Sequence, residues 1–327
     1  MPNIVVQQRC DEAAEVTDVL VSAACGSLTS ALAYAAAEKS DNTRRAYASD
    51  AKQFVAWCEG VGRRAVPADA GTCAAYLAHL ADSGLKVSTI QRRAAAIAYA
   101  HKLAGEASPL GLEAVKAVLR GVRRTLGVKV GAKAPMTADL VAKALRKLPS
   151  DLGGLRDRAL LLIGFAAALR RSELVGLNIC DIERTAEGVF LHIRRSKTDQ
   201  DGAGQTIAIA AGGKLGVLDA LDRWLAAAGI VEGPVFRAVS RHGKVSAAAL
   251  TGFAVAGIVK KAALRAKLDP ALFSGHSLRS GFVTSALASG ADLFKVMDVT
   301  RHRRTETLRI YDRRAKAFKD HAGRRFL

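Results

Sequence analysis

The chain has 327 residues, which predicts about two domains, because a domain typically spans roughly 100–200 residues. Half of the residues are hydrophobic and 24% are charged, a composition that supports a packed core and excludes a wholly disordered chain. Lys and Arg total 49 against 30 Asp and Glu. The resulting net charge of +19 favours a polyanionic partner such as nucleic acid over a small neutral metabolite.

Neither a membrane segment nor a disulfide framework is indicated. The longest apolar run, residues 159–169, is about half of the ~20 residues that span a bilayer and is typical of a buried helix. The N-terminus lacks the basic and apolar regions of a secretory signal. The five cysteines are odd in number and contain no CxxC pair, which favours reduced thiols over disulfides or a zinc site. We therefore expect a cytoplasmic protein without a metal site.

Four short helices are predicted after an acidic N-terminal stretch. Residues 40–43 offer several N-caps for the first helix, and the second and third helices are expected to start at residues 67–69 and 88–89. The fourth helix is expected at about residues 112–124. Four helices in about 90 residues predict a compact bundle.

Gln91, Arg92 and Arg93 are expected in the first turn of the third helix. A helix N-terminus favours phosphate, and Gln and Arg can read base edges in a DNA major groove. The alternative is a helix start that is merely solvated. These three residues are candidate DNA contacts.

Residues 126–135 are the expected domain boundary, because Gly127, Gly131 and Pro135 interrupt any periodic apolar pattern. The segment also carries Lys129 and Lys133, so it is expected to lie along a phosphate backbone. The predicted organisation is an N-terminal tail at 1–26, a helical DNA-binding domain at 27–125, this basic linker, and a catalytic domain with a C-terminal tail at 136–327.

Helices interrupted by one β-hairpin are predicted in the second domain. Residues 189–193 and 206–209 are typical of two strands, and residues 194–204 form the polar loop between them. Helices are expected at 137–147, 155–169, 214–228, 246–266, 277–289, 292–299 and 305–319. The predicted fold class is mainly α with a small antiparallel β-sheet.

Three separated segments of this domain carry side chains that bind phosphate or transfer protons. The first, ALRRSEL, places Arg170 at the end of the most apolar helix. The second, GHSLRSG, places His276 and Arg279 on one helix face. The third, TRHRRTETLRIYD, puts His302 nine residues before Tyr311. Each segment alone has an ordinary structural explanation, such as helix capping or an amphipathic core position.

Taken together and in this order, the segments resemble the catalytic domain of the tyrosine site-specific recombinases, the phage integrase family. SDNTRRAYASDAKQFVAWC and STIQRRAAAIAYAHKLAG resemble the family's N-terminal core-binding domain. AALRRSELVGL, RRSKT, GHSLRSGFVTSAL and TRHRRTETLRIYDR resemble its successive catalytic boxes. One departure is visible: the family often has Leu-Gly before the second His, where this chain has Thr300-Arg301.

The resemblance implies a site-specific recombinase that cuts and rejoins DNA through a 3′-phosphotyrosyl intermediate. Tyr311 would attack the scissile phosphate, and because a phenol has a pKa near 10 it needs a base and a cationic pocket. Arg170 and Arg279 would clamp the non-bridging oxygens, since a guanidinium can bind two oxygens and stays charged. Lys197, on the hairpin loop, would protonate the departing 5′-oxygen.

The same resemblance implies supporting roles. His276 would accept the Tyr311 proton or bind the phosphate, and His302 would donate to a non-bridging oxygen. Glu173 would hold the arginine and histidine side chains. Candidate DNA contacts elsewhere are Arg44, Arg45, Gln91, Arg92, Arg93, Lys129, Lys133, Arg194, Arg195, Arg241 and Lys244, with Arg241 and Lys244 preceding a predicted helix from Ser246.

The expected partner is a double-stranded recombination site on nucleoid DNA, bound by a homotetramer, because exchange between two duplexes involves two cleavages in each. No cofactor is expected. The phosphotyrosyl bond keeps the energy of the broken phosphodiester bond, so ATP is not needed, and the sequence contains no Asp/Glu cluster that suggests a metal site. The alternatives are a type IB topoisomerase that relaxes DNA and a catalytically silent DNA-binding regulator of the same fold.

Overall fold

The structure, a computed structural model, describes residues 38–127, 133–194, 204–302, 304–306 and 308. It divides between Val130 and Gly131 into two compact units, and this division falls inside the predicted linker. No helix in the described ranges is long and apolar enough to cross a membrane.

The first unit contains the predicted helices, α1 (Asp41–Gly60), α2 (Ala70–Asp82), α3 (Val87–Leu103) and α4 (Glu113–Leu126). Ser40 and Asp69 cap α1 and α2 by accepting hydrogen bonds from the third backbone N–H of each helix. The start of α3 was placed too late, since Lys86 is its N-cap. Gln91 is the fifth helical residue, so the prediction that residues 91–93 lie in the first turn is wrong.

The core of the first unit is built from apolar residues at helical spacing, including Phe54 on α1, Tyr76 and Leu77 on α2, and Ile90 and Ile97 on α3. This pattern forms a helix bundle because each helix buries one stripe against its neighbours.

Two of the five cysteines, Cys58 and Cys73, are buried in this core. Burial raises the pKa of Cys58 to about 11 and that of Cys73 to about 12. Both side chains are therefore neutral thiols at physiological pH, and they pack as small apolar groups.

The second unit is mainly helical and holds two small antiparallel sheets. A three-stranded sheet has the order β1 (Ile182–Arg184), β2 (Gly188–Ile193) and β3 (Gln205–Ala210). The register between β2 and β3 runs from Gly188 opposite Ala210 to Ile193 opposite Gln205. The predicted hairpin is confirmed, and β1 adds a strand that was not predicted.

A second hairpin, β4 (Arg237–Val239) and β5 (Val245–Ala249), was also not predicted. It occupies the start of the segment that we expected to be a helix from residue 246. The helix instead begins at Gly252, after Thr251 accepts a hydrogen bond from Ala254 N–H. The first part of that helix prediction is therefore wrong.

The helices of the second unit are α5 (Ala138–Leu145), α6 (Leu152–Ala166), α7 (Arg171–Gly176), α8 (Val217–Ala228), α9 (Gly252–Arg265), α10 (Ser277–Ala288) and α11 (Leu293–Thr300). The helix predicted at 305–319 lies largely outside the described residues.

The apolar helix α6 is the centre of this unit, with every residue from Ala159 to Phe165 buried. At Gly164 an added Cβ would lie 2.9 Å from Leu278 and 3.0 Å from Leu174, so the absence of a side chain lets α7 and α10 pack closely on α6. At Gly281 on α10, an added Cβ would lie 1.8 Å from the Met136 carbonyl oxygen, so the absence of a side chain lets the backbone at Met136 pack closely on α10. This packing brings the first two sequence segments together.

Candidate active site

Arg170 is the N-cap of α7 and is fixed by Glu173. Its backbone N–H donates to Glu173 Oε2 at 2.8 Å, and its Nη1 donates to Glu173 Oε1 at 2.7 Å. The Glu173 side chain is completely buried, whereas 18% of the Arg170 side chain is exposed. Glu173 therefore holds the Arg170 guanidinium on its buried side, and the other side of the guanidinium is open to solvent.

Arg279 lies in the first turn of α10 and is 1% exposed. Its Nη1 donates to the Ala168 carbonyl oxygen at 2.8 Å, and its Nη2 donates to the Thr300 carbonyl oxygen. Ala168 has a φ of +48°, a left-handed turn that ends α6. The three predicted segments therefore meet at one guanidinium.

His302 follows α11 and lies beside Arg279. Its Nε2 is 3.4 Å from Arg279 Nη2, and its Nδ1 is 2.7 Å from Thr300 Oγ1. The Thr300 hydroxyl donates its hydrogen to Val296 O at 2.6 Å, so it accepts from His302 Nδ1–H. The Nε2 lone pair then faces Arg279, as in a neutral ring.

A third arginine, Arg301, completes this centre. Its Nη2 donates to Glu173 Oε2 at 2.7 Å, and its side chain is 4% exposed. In the sequence, this position is a departure from the family pattern and is not among the predicted site residues. The signal was nevertheless present, because an arginine replaced a glycine next to a candidate histidine.

Charge and burial shift the pKa values of the titratable groups. Burial raises the pKa of Glu173, but the charges of Arg301 and Arg170 and the Arg170 hydrogen bonds outweigh it, so the net pKa lies below the ordinary value. His276 is exposed at the surface, yet partial loss of hydration and the charge of Arg279 lower its pKa.

Burial, followed by the charges of Arg279 and Arg170, lowers the pKa of His302 to about 4. His302 is therefore neutral at physiological pH, as is His276 because its pKa also lies below the ordinary value of 6.5. The arginines keep their charge, so the centre combines cations with neutral imidazoles.

The structure brings together Arg170, Glu173, Arg279 and His302, with His276 directly before α10. Lys197 and Tyr311 lie outside the described residues, as does the predicted C-terminal tail. Among the described residues, no group of three or more His, Cys, Asp or Glu side chains is arranged to hold a metal ion.

Two family models match this chain. The one described as the phage integrase family matches residues 135–317, which is more than half of the chain. The one described as the phage integrase N-terminal SAM-like domain matches residues 32–106.

The chain belongs to the phage integrase family.

Named relatives agree with this membership. An integrase/recombinase xerD homolog of Selenomonas ruminantium is 38% identical over 290 residues, which are 87% of this chain and 85% of the relative. The recombinase cre of Escherichia phage P1 is 27% identical over 278 residues, with 79% and 80% of the two chains covered. The protein is a tyrosine recombinase, a class of enzyme that transfers DNA strands.

Solved structures share the fold. The XerH site-specific recombinase bound to palindromic difH substrate in a post-cleavage complex gives a TM-score of 0.58 at 19% identity, covering 78% of this chain and 71% of that one. A lambda integrase dimer bound to a COC′ core site gives a TM-score of 0.52 at 19% identity, covering 75% and 64%.

Most predicted DNA contacts of the recombinase that the structure describes are exposed. They are Arg44, Arg45, Gln91, Arg92, Lys133, Arg194, Arg241 and Lys244. Arg241 and Lys244 lie at the β4–β5 turn rather than before a helix. Lys129 and Arg195 lie outside the described residues.

Arg93 differs from the other predicted contacts because its side chain is only 15% exposed. It donates to Tyr76 Oη at 3.1 Å, hydrogen-bonds to Gln53, and lies 3.8 Å from buried Asp50. These contacts tie α3 to α1 and α2.

Proposed function

We propose that this protein is a site-specific DNA recombinase that cuts and rejoins DNA through a 3′-phosphotyrosyl intermediate at Tyr311. One observation carries the proposal: Arg170 and Arg301 share the Glu173 carboxylate, and Arg279 lies beside the neutral His302, where the three sequence segments meet. Such a centre has a positive surplus, which fits the charge that develops on a phosphate under attack.

The proposed cleavage step is a direct transesterification. The Tyr311 oxygen forms a bond to phosphorus while the bond from phosphorus to the 5′-oxygen breaks. His276 accepts the phenol proton, a role that suits an imidazole whose pKa is lowered by partial loss of hydration and by the nearby arginines. Lys197 gives a proton to the departing oxygen, and rejoining reverses each transfer.

The different burial of Arg170 and Arg279 sets the order in which the DNA phosphate contacts them. Arg170 and His276 are open to solvent, whereas Arg279 is buried against Thr300 and His302. We therefore expect DNA to meet Arg170 first and the turn at residues 300–302 to move before Arg279 makes contact. The phosphate charge opposes the arginine charges that, after burial, lower the pKa of His302, and it therefore favours a protonated His302 that can donate to a non-bridging oxygen.

DNA is gripped by exposed cations of both units, in keeping with the net charge of +19. In the first unit these are Arg44 and Arg45 on α1 and Arg92 on α3, with the uncharged Gln91 as a further polar contact beside Arg92, while Arg93 supports the bundle. In the second unit they are Arg194 and the β4–β5 turn. Four protomers assemble on two recombination sites, because each exchange requires two cleavages per duplex.

A nicked suicide substrate that carries the bound sequence tests this function. Wild-type protein is expected to form a covalent adduct through a 3′-phosphate, in EDTA and without nucleotide, and Tyr311→Phe is expected to form none. The site itself is first mapped by selecting bound genomic fragments. Rapid relaxation of any supercoiled plasmid would favour a topoisomerase, and tight binding without adduct would favour a regulator.

A further inference from the structure

Arg301 occupies a backbone position that favours glycine. It is the C-cap of α11 with φ +58° and ψ +42°, which is left-handed. A helix commonly ends in glycine at such a position because L side chains adopt it at a cost. An arginine here therefore needs a compensating contact from its side chain.

That contact is the salt bridge to Glu173, which joins two arginines through one carboxylate. Glu173 Oε1 accepts from Arg170 Nη1 and Oε2 accepts from the Arg170 N–H and from Arg301 Nη2, each between 2.7 and 2.8 Å. Without Arg301, one charge on Glu173 would cancel the charge on Arg170. With Arg301, the three groups keep a net positive charge.

The remaining nitrogens of Arg301 show that helix capping alone does not account for the residue. Nε and Nη1 are buried and have no hydrogen-bond partner among the described residues. A buried N–H donor without a partner loses its hydrogen bonds to water and gains none in the folded protein, so it does not stabilise the fold. Arg301 also lines, with His302, a cavity of about 400 Å³ between the start of β3 and α11.

We propose that Arg301 is a positioning residue of the recombination reaction, which fixes the Glu173 carboxylate so that Arg170 presents its guanidinium to the scissile phosphate with a net positive charge behind it. This role rests on the proposed function. It concerns this chain's own arginine at the position where the family often has glycine.

The test measures the single-turnover rate of adduct formation at saturating DNA, and DNA affinity separately. Arg301→Met is expected to slow cleavage about 100-fold with less than a threefold change in affinity, because one charge-stabilising donor typically contributes 10²–10³ in rate. Arg301→Lys is expected to recover about tenfold of that loss by restoring the charge. If Arg301→Met does not fold, Arg301→Gln replaces it.

Coupling to Glu173 separates positioning from general stability. In a Glu173→Gln background, Arg301→Met is expected to slow cleavage less than threefold, because the group through which it acts is already altered. Arg156→Met is the matched control. It removes another buried arginine–carboxylate pair, with Asp157 at 2.6 Å, near the opposite end of α6. We expect it to lower thermal stability similarly while cleavage stays within threefold of wild type.

Two outcomes overturn different statements. A wild-type protein that forms no adduct on its mapped site would overturn the proposed function and this role with it. A normal wild-type adduct, combined with an unchanged rate in Arg301→Met or with multiplicative effects of the Arg301 and Glu173 changes, would overturn only the role of Arg301.

Discussion

Each unit of the recombinase has a buried carboxylate that binds two arginines, and the two clusters differ in where those arginines come from. In the first unit Arg92 and Arg93 bind Asp50, which is 2% exposed. In the second unit Arg170 and Arg301 bind Glu173, which is fully buried. The two carboxylates are therefore buried to a similar extent, whereas the arginine side chains range from 4% exposed at Arg301 to 50% at Arg92.

The difference lies in where the arginines come from and what surrounds them. Arg92 and Arg93 are consecutive on α3, and their contacts reach Asp50 and Gln53 on α1 and Tyr76 on α2. The Asp50 cluster therefore holds a helix bundle together. Arg170 and Arg301 come from elements more than a hundred residues apart and lie next to neutral histidines. Convergence of distant segments, rather than an ion pair as such, distinguishes the proposed active site from the Asp50 cluster.

The largest expected effect follows from removing an arginine of the Glu173 cluster. Arg170→Met is expected to reduce the single-turnover cleavage rate about 1000-fold, because a charge that is aimed at the developing negative charge is lost. The rate is measured with the suicide substrate at saturating DNA. The adjacent exposed Arg171, changed to Met, is expected to cost less than about tenfold. Equal losses for the two variants would contradict the assignment.

An intermediate effect, on stability rather than on rate, is expected at the Asp50 cluster. Asp50→Ala removes the carboxylate that pairs with the mostly buried Arg93, so the free energy of unfolding should fall by about 2 kcal/mol. This is less than the full cost of breaking a buried pair, because Arg92, the other partner of Asp50, is half exposed. Urea unfolding measures the change, and cleavage at saturating DNA should stay near wild type. Asp41→Ala, which breaks an exposed pair with Arg44, should change stability by less than about 0.5 kcal/mol.

The smallest expected effect is a pH dependence that belongs to the second unit. His302 ionises near pH 4 when folded and near 6.5 when unfolded, so between these values the unfolded chain binds more protons. Its contribution to stability is therefore present above pH 6.5 and is lost as the pH falls toward 4, and His276 acts in the same direction. Glu173, with its lowered pKa, adds a loss only below about 4.5.

Unfolding midpoints in urea at pH 7.5 and pH 5 check this prediction. The wild-type midpoint is expected to fall on acidification, and His302→Gln should reduce the fall. A midpoint that is independent of pH over this window in the wild type would show that burial and the neighbouring arginines do not hold His302 neutral.

Much of the fold was predictable because its signals are local. The helices of the first unit follow from apolar spacing and from the caps at Ser40 and Asp69. The β2–β3 hairpin follows from two short runs of β-branched residues around a polar loop. The β4–β5 hairpin was missed because the segment SAAAL near its end has high helix propensity, and pairing with Arg237–Val239 overrides that preference.

Most residues of the candidate site could be predicted from the sequence, but the hydrogen bonds that hold them could not. Arg170, His276, Arg279 and His302 stood out because they occur in an order that a known family shares. Nothing in their spacing indicated that Ala168 and Thr300 would supply the carbonyl oxygens that hold Arg279. The sequence also contains no sign that the Arg93 side chain is mostly buried. The neighbouring Arg92 is the same residue type, yet half of its side chain is exposed.

The sequence by itself determined the helical class, the family, and a positive charge suited to DNA, because periodicity, motif order and composition are properties of the chain. Tertiary structure alone decided which of the arginines converge at the proposed active site and which hold helices together. The physical reason is that a guanidinium acts according to its partners, and partners from distant segments meet only when α6 brings α7 and α10 together. Arg301 is the clearest case: a departure from pattern in the sequence, and a partner of Glu173 in the fold.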